Sequence, residues 1–280
     1  MPLPDAVLGA PVRRAPVPAL DHGQALAEGM RATPDEVRYQ QSGLRILVRG
    51  GDEVVVDWDP DADQTVLEAL LYGFAARTLL LHRGTFTLHG SLVELHGRGL
   101  ALGGHSGAGK STTAVELARH HDARVVIDDV LPLAVVDGEV VADAFERPLH
   151  LTDHAFGRAG FGDGDAVRVG SGELTKLALA VAPPAGPVRV GELAVLARDD
   201  TPGAPPVTLT ELRGAERLRR LVRLSNVSGL ASLGPRSSAF FEWSTGVAAV
   251  LPVVEVVRAE GVDTLAAVGE RLADRAEARR

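Results

Sequence analysis

The chain has 280 residues, a formal net charge of -8, no cysteine, and 45% hydrophobic but only 4% aromatic residues. That is length for one large domain or for a main domain with a smaller companion, with a core built mostly from Ala, Val and Leu, as suits an α/β protein. Disulfides, thiolate chemistry and Cys-ligated zinc are excluded; the acidic balance and the scarcity of stacking platforms speak against a nucleic-acid partner. No run approaches the ~18 apolar residues of a membrane span and prolines interrupt the start, so no membrane partner and a cytoplasmic location are expected.

Residues 1–35, rich in Pro, Ala and Arg without periodicity, read as an extended N-terminal arm. A small region follows over 36–84. Its "SGLRILVRGGDEVVVDWDP" reads as strand, Gly-Gly turn and strand, ended by Pro60. Apolar residues at helical spacing from Val66 to Leu81 predict a helix that Gly84 stops.

The main domain is expected over 85–280. "TFTLHGSLVEL" and "LALGG" are apolar runs joined by the short turn "HGRG", which makes them antiparallel neighbours, since a parallel pair needs a long crossover. "KSTTAVELARHH" reads as a helix, "ARVVIDD" as a strand, and "LPLAVVDGEVVAD" as a hairpin turned at Asp137-Gly138. "PPAGP" and "DDTPGAPP" mark loops. "TELRGAERLRRLVRL" predicts an amphipathic helix, "SNVSGLASLGPRSSAFFEWSTG" an irregular Ser/Gly segment, and "GVDTLAAVGERLADRAEARR" a closing helix. The Arg-rich helix and the Ser/Gly segment fit a lid or docking surface, or else a solvated face and a surface loop.

Chemistry concentrates at "LALGGHSGAGKSTTAVELARHH". Gly104, Gly109, Lys110 and Ser111 complete G-x-x-x-x-G-K-[ST] between an apolar strand and a helix, the context in which successive backbone N–H groups cradle phosphate. The nucleotide-binding candidates are Gly104, His105, Ser106, Gly107, Ala108, Gly109, Lys110, Ser111 and Thr112. Lys110 would meet the β and γ phosphates, and Ser111 would ligate Mg²⁺. Of 29 basic residues only Lys110 and Lys176 are lysine, so a compact ammonium is used rarely. Lys176, in "GSGELTKLALA", is either a second point charge aimed at a phosphate or acceptor, or an ordinary surface lysine. Asp128 and Asp129 end an apolar strand opening toward the edge that carries the loop, and two acids there can divide metal binding from proton acceptance. An Asp-rich turn is the plainer alternative.

The run from Thr87 to Val130, "TLHGSLVELHGRGLALGGHSGAGKSTTAVELARHHDARVVIDDV", resembles the catalytic domain of the HPr kinase/phosphorylase family, and more loosely so to Leu151. It is also similar to the HPr-kinase-like enzymes found with lasso-peptide biosynthesis and, distantly, to phosphoenolpyruvate carboxykinase. The resemblance implies an α/β P-loop fold of that type with a mixed sheet, the loop strand being one arm of an antiparallel hairpin. It implies an ATP- and Mg²⁺-dependent kinase acting on a serine of a protein or peptide, and a homo-oligomer. By the same resemblance His89 assists the centre, Asp128 accepts the serine proton, Asp129 helps Ser111 hold the metal, and Glu146 supplies a second metal carboxylate. From the residues alone the alternative for His89 is a hydrogen-bonded strand histidine with no catalytic part. The family's P-G-R-N loop has no clear counterpart here. Two other functions stay open: a kinase of small hydroxyl metabolites, and a nucleotide-binding regulatory module without transfer.

Overall fold

The computed structural model describes residues 3–19, 21, 23–63, 65–145, 149–151, 153, 156–157, 166–169, 176–179, 184–233 and 236–279. The chain divides into two compact units, residues 1–87 with 168–176 and 226–241, and residues 88–167 with 177–225 and 242–280.

The first unit holds a seven-stranded sheet of order β1-β2-β7-β6-β5-β4-β3. Its centre is the expected hairpin, β6 (Leu44–Arg49) and β7 (Glu53–Trp58), turned at Gly50 and Gly51, both with positive φ. Leu44, Ile46 and Val48 are buried on one face of β6, and Leu47 is buried on the other, where it packs with Val17 and Val55. The expectation of an extended arm is corrected. β1 (Ala6–Val7), β2 (Ala10–Arg14), β3 (Gln24–Ala27) and β4 (Met30–Ala32) all lie in this sheet, β2 pairing parallel with β7 and β4 antiparallel with β5 (Glu36–Gln41). These strands are too short for alternation to register, yet Val7, Ala10 and Ala32 are buried. The predicted helix is present as α1 (Thr65–Ala69), a π-helical turn (Leu70–Ala75) and α2 (Ala76–His82). In it the Thr78 hydroxyl donates to the Phe74 carbonyl at 2.7 Å.

The second unit is built on a nine-stranded mixed sheet. β8 (Thr87–Leu95) and β9 (Arg98–Gly103) form the antiparallel hairpin, and β10 (Arg124–Ile127) pairs antiparallel with β8. β10 therefore runs the same way as β9, and both open at one edge. On the other side β9 pairs parallel with β17 (Val188–Asp199), which pairs parallel with β19 (Val253–Ala259). Alternating residues feed two cores. Leu92, Ala101 and Leu193 face a layer containing Leu221, Leu224 and Val247. Val93, Leu100, Leu102, Ala194 and Val254 face one containing Leu117, Val268 and Leu272. Helices α3 (Lys110–His120) and α6 (Leu265–Glu277) thus cover one face, and α4 (Gly214–Leu224) and α5 (Arg236–Val250) the other.

Two further expectations are corrected. The helix predicted from Thr210 begins only at Gly214, because Val207–Leu212 is a strand, β18, paired with β19. The Ser/Gly segment runs from Arg236 into a helix that extends past it, Arg236–Val250, whose Trp243 indole N–H donates to the Leu133 carbonyl at 2.7 Å. Ser237, Ser238 and Gly246 give it little intrinsic helical preference. Among the described residues no helix is long and apolar enough to cross a membrane.

Candidate active site

The loop between β9 and α3 takes the shape its glycines permit. Gly104, Gly107 and Gly109 have φ of +143°, +78° and +96°. At Gly104 there is also no room, since a Cβ would stand 2.7 Å from the Leu196 carbonyl oxygen. Lys110 is buried, its ammonium donating to the carbonyls of Gly104 at 2.9 Å and His105 at 3.1 Å. His105, Ser106 and Gly107 are exposed; Ala108 is buried and Gly109, Ser111 and Thr112 are half-buried. His105 Nδ1 lies 2.7 Å from the Ser106 carbonyl.

At the end of β10 the two acids part company. Asp128 is buried at 5% exposure, and its carboxylate accepts hydrogen bonds from Ser111 Oγ at 3.1 and 3.2 Å and from Ser91 Oγ at 2.5 Å. Asp129 takes the left-handed backbone, φ +69°, and its carboxylate lies 2.8 Å from His89 Nδ1, with both side chains about one-third exposed. The expected pairing of Ser111 with Asp129 is therefore corrected. The loop hydroxyl meets Asp128, whose other partner is Ser91 of β8, while Asp129, in the left-handed backbone, meets His89 of the same strand.

A hydroxyl and a carboxylate in contact are hard oxygen donors that fit Mg²⁺, which commonly takes one or two protein oxygens and completes its shell with phosphate and water. Among the described residues no three His, Asp or Glu side chains cluster as a metal site. Glu146 lies outside the described residues. Lys176 opens strand β16 (Lys176–Leu179), which pairs antiparallel with β14 (Leu149–Leu151).

Sequence reasoning passed over Ser91, although it lies two residues after His89 and so on the same face of β8, a signal the strand period offers. It also passed over Arg198 and Arg258. Their guanidinium groups donate to the carbonyls of Gly107 and Ala108, both at 2.8 Å. With 27 arginines in the chain, residue type singles out neither.

Comparison with known proteins follows the same lines. The chain is 49% identical over 55 residues to an HPr kinase/phosphorylase of Treponema pallidum, which is 19% of this chain and 17% of that one. It is 43% identical over 54 residues, again 19% and 17%, to an HPr kinase/phosphorylase of Clostridium perfringens. Over that stretch the chain is HPr-kinase-like. The similarity spans under a fifth of the length of these relatives. A solved Hpr(Ser) kinase/phosphatase from Coxiella burnetii aligns with 69% of this chain and 96% of its own, at 10% identity and a TM-score of 0.34. No family model matches.

Proposed function

We propose that the chain is an ATP-dependent kinase that transfers the γ-phosphoryl group to a serine hydroxyl of a protein or peptide, HPr or a biosynthetic precursor peptide. The observation that carries this reading is the separation of the two acids: one carboxylate against the loop hydroxyl and a second, histidine-held carboxylate more open to solvent. A nucleotide-binding module needs only the first.

In this reading the loop amides and Lys110 hold the β and γ phosphates, and Ser111 with Asp128 holds Mg²⁺. The metal, when bound, neutralises charge on the phosphates. Ser91 fixes the Asp128 carboxylate through Oδ1, an oxygen that Ser111 shares. Asp129 takes the acceptor proton: the serine oxygen forms its bond to phosphorus, the bond to the β-phosphate oxygen breaks, ADP leaves, and the hydroxyl proton passes to the Asp129 carboxylate. His89 Nδ1 orients that carboxylate. These roles exchange those that the family resemblance implies for Asp128 and Asp129.

The test is incubation with γ-labelled ATP and Mg²⁺ against HPr, candidate precursor peptides and a panel of small alcohols, with phosphoserine located by mass spectrometry. Label on a peptide or protein serine is expected. ATP binding with no transfer would make the chain a regulatory module, and label only on small alcohols would make it a metabolite kinase.

A further inference from the structure

Arg198 and Arg258 are direct register partners on the parallel strands β17 and β19. Each continues a column of core residues on the face that α3 covers, Ala194 and Leu196 in one strand, Val254 and Val256 in the other. Where those columns reach the sheet edge they end in two arginines, and the guanidinium groups bond to consecutive carbonyls of the phosphate loop. Like charges directly opposite one another on neighbouring strands repel. Only Arg198 has partial relief, from Glu260 at 3.4 Å; among the described residues no carboxylate pairs with Arg258. Burial, and then the Arg198 cation, depress the pKa of Arg258.

The loop also makes room for this arrangement. A Cβ on Gly109 would lie 2.7 Å from Arg258 Nη2, so the glycine that precedes Lys110 serves the arginine as well as its own φ. In these peptide units the N–H opposite the Gly107 carbonyl, that of Ala108, donates to the His105 carbonyl at 3.1 Å, and that opposite the Ala108 carbonyl, of Gly109, is turned away from Arg258.

We propose that Arg198 and Arg258 form a positioning pair for the polyphosphate: they hold the loop from behind through its carbonyls and add positive charge that a bound anion offsets. The pair acts on the phosphates rather than the base, through the loop rather than by touching the reacting atoms. This rests on the nucleotide-binding part of the reading above and extends it to residues outside the loop motif.

The test measures binding of Mg-ATP and of inorganic tripolyphosphate by calorimetry to the full chain and to Arg198→Met, Arg258→Met, Arg258→Lys and Lys110→Ala. Each methionine variant is expected to lose about tenfold to a hundredfold for both ligands alike, the range of a hydrogen bond to a charged group. The loss should shrink as salt is raised, and Arg258→Lys should recover part of it. Arg198 is 43% exposed, so its variant is expected to fold and decides the matter even where Arg258→Met does not. Tripolyphosphate affinity within about twofold of the parent in Arg198→Met would overturn the proposal, as would a loss that salt leaves unchanged. If Lys110→Ala loses binding while the arginine variants keep it, only this inference fails. A parent chain that binds neither ligand sinks the nucleotide reading itself.

Discussion

Asp128 and Asp129 are chain neighbours in different surroundings, and that difference is measurable. Asp128→Asn should raise the Mg²⁺ requirement and weaken Mg-ATP binding, because a neutral amide beside Ser111 holds a hard cation less tightly. Asp129→Asn should leave Mg-ATP binding near normal and cut single-turnover transfer by roughly a hundredfold or more, the scale of a lost general base. Titrating ATP and Mg²⁺ against both variants checks this, and the opposite pattern would return the roles to the order implied by family resemblance. A second titratable residue concerns stability rather than chemistry. Burial first, then the Arg236 cation, lower the pKa of His82 from 6.5 to about 4, and its Nδ1 is buried without a hydrogen-bond partner. Between pH 6.5 and 4 the unfolded chain binds a proton that the folded chain refuses, so stability is full above the unfolded pKa and falls as pH drops through this window. The loss is about 2 kcal/mol once partial exposure is allowed for. Urea melts at pH 7 and pH 4 should show it in the parent and less of it in His82→Leu; equal losses would clear His82. At this scale the turn between β9 and α3 was legible because its glycines mark the positive-φ positions it needs. The partners of the two acids were not, since the sequence does not announce the left-handed backbone of Asp129.

Gly90 shows what a single residue does for an element. Its φ is ordinary, but a Cβ would lie 2.7 Å from the Leu102 carbonyl oxygen across the hairpin, a backbone atom with little freedom to retreat. Gly90→Ala should therefore destabilise the chain by about 1–3 kcal/mol, the cost of overpacking. Because Leu102 leads directly into the loop, the same change should weaken ATP binding. A thermal melt and a binding isotherm test both, and an unchanged melting temperature would mean that the strands separate at no cost. Elements with sustained periodicity were readable in advance: the β6–β7 hairpin, the helical stretch before Gly84, the β8–β9 hairpin and α3. Those held by tertiary partners were not. Thr210, Glu211 and Leu212 carry a helical pattern with the residues after them, yet backbone pairing with β19 draws them into a strand. Short strands such as Ala6–Val7 owe their existence to neighbours and leave no local trace.

The whole chain is divided in a way that linear reading cannot anticipate, because residues 226–241 group with the N-terminal unit rather than with the residues on either side of them. Within that unit the Arg236 guanidinium donates to the Pro34 carbonyl at 2.5 Å, and the rings of Phe86 and Phe240 meet edge to face. A chain carrying a protease site inserted after Gly84 and cut there should therefore elute as one species, its fragments held by contacts such as that of Arg236 with Pro34. Two separated fragments on gel filtration would show that the N-terminal strands are self-sufficient. The sheet of the other unit is just as spread along the sequence. β9 enters the glycine-rich loop, but its parallel neighbour β17 comes much later and β19, carrying Arg258, later still. Pairings between distant segments form slowly, and synthesis delivers them in order. On the ribosome, a nascent chain that stops short of Arg258 already displays every glycine of the loop without the sheet that shapes it, so nucleotide offered early in synthesis finds nothing to stabilise.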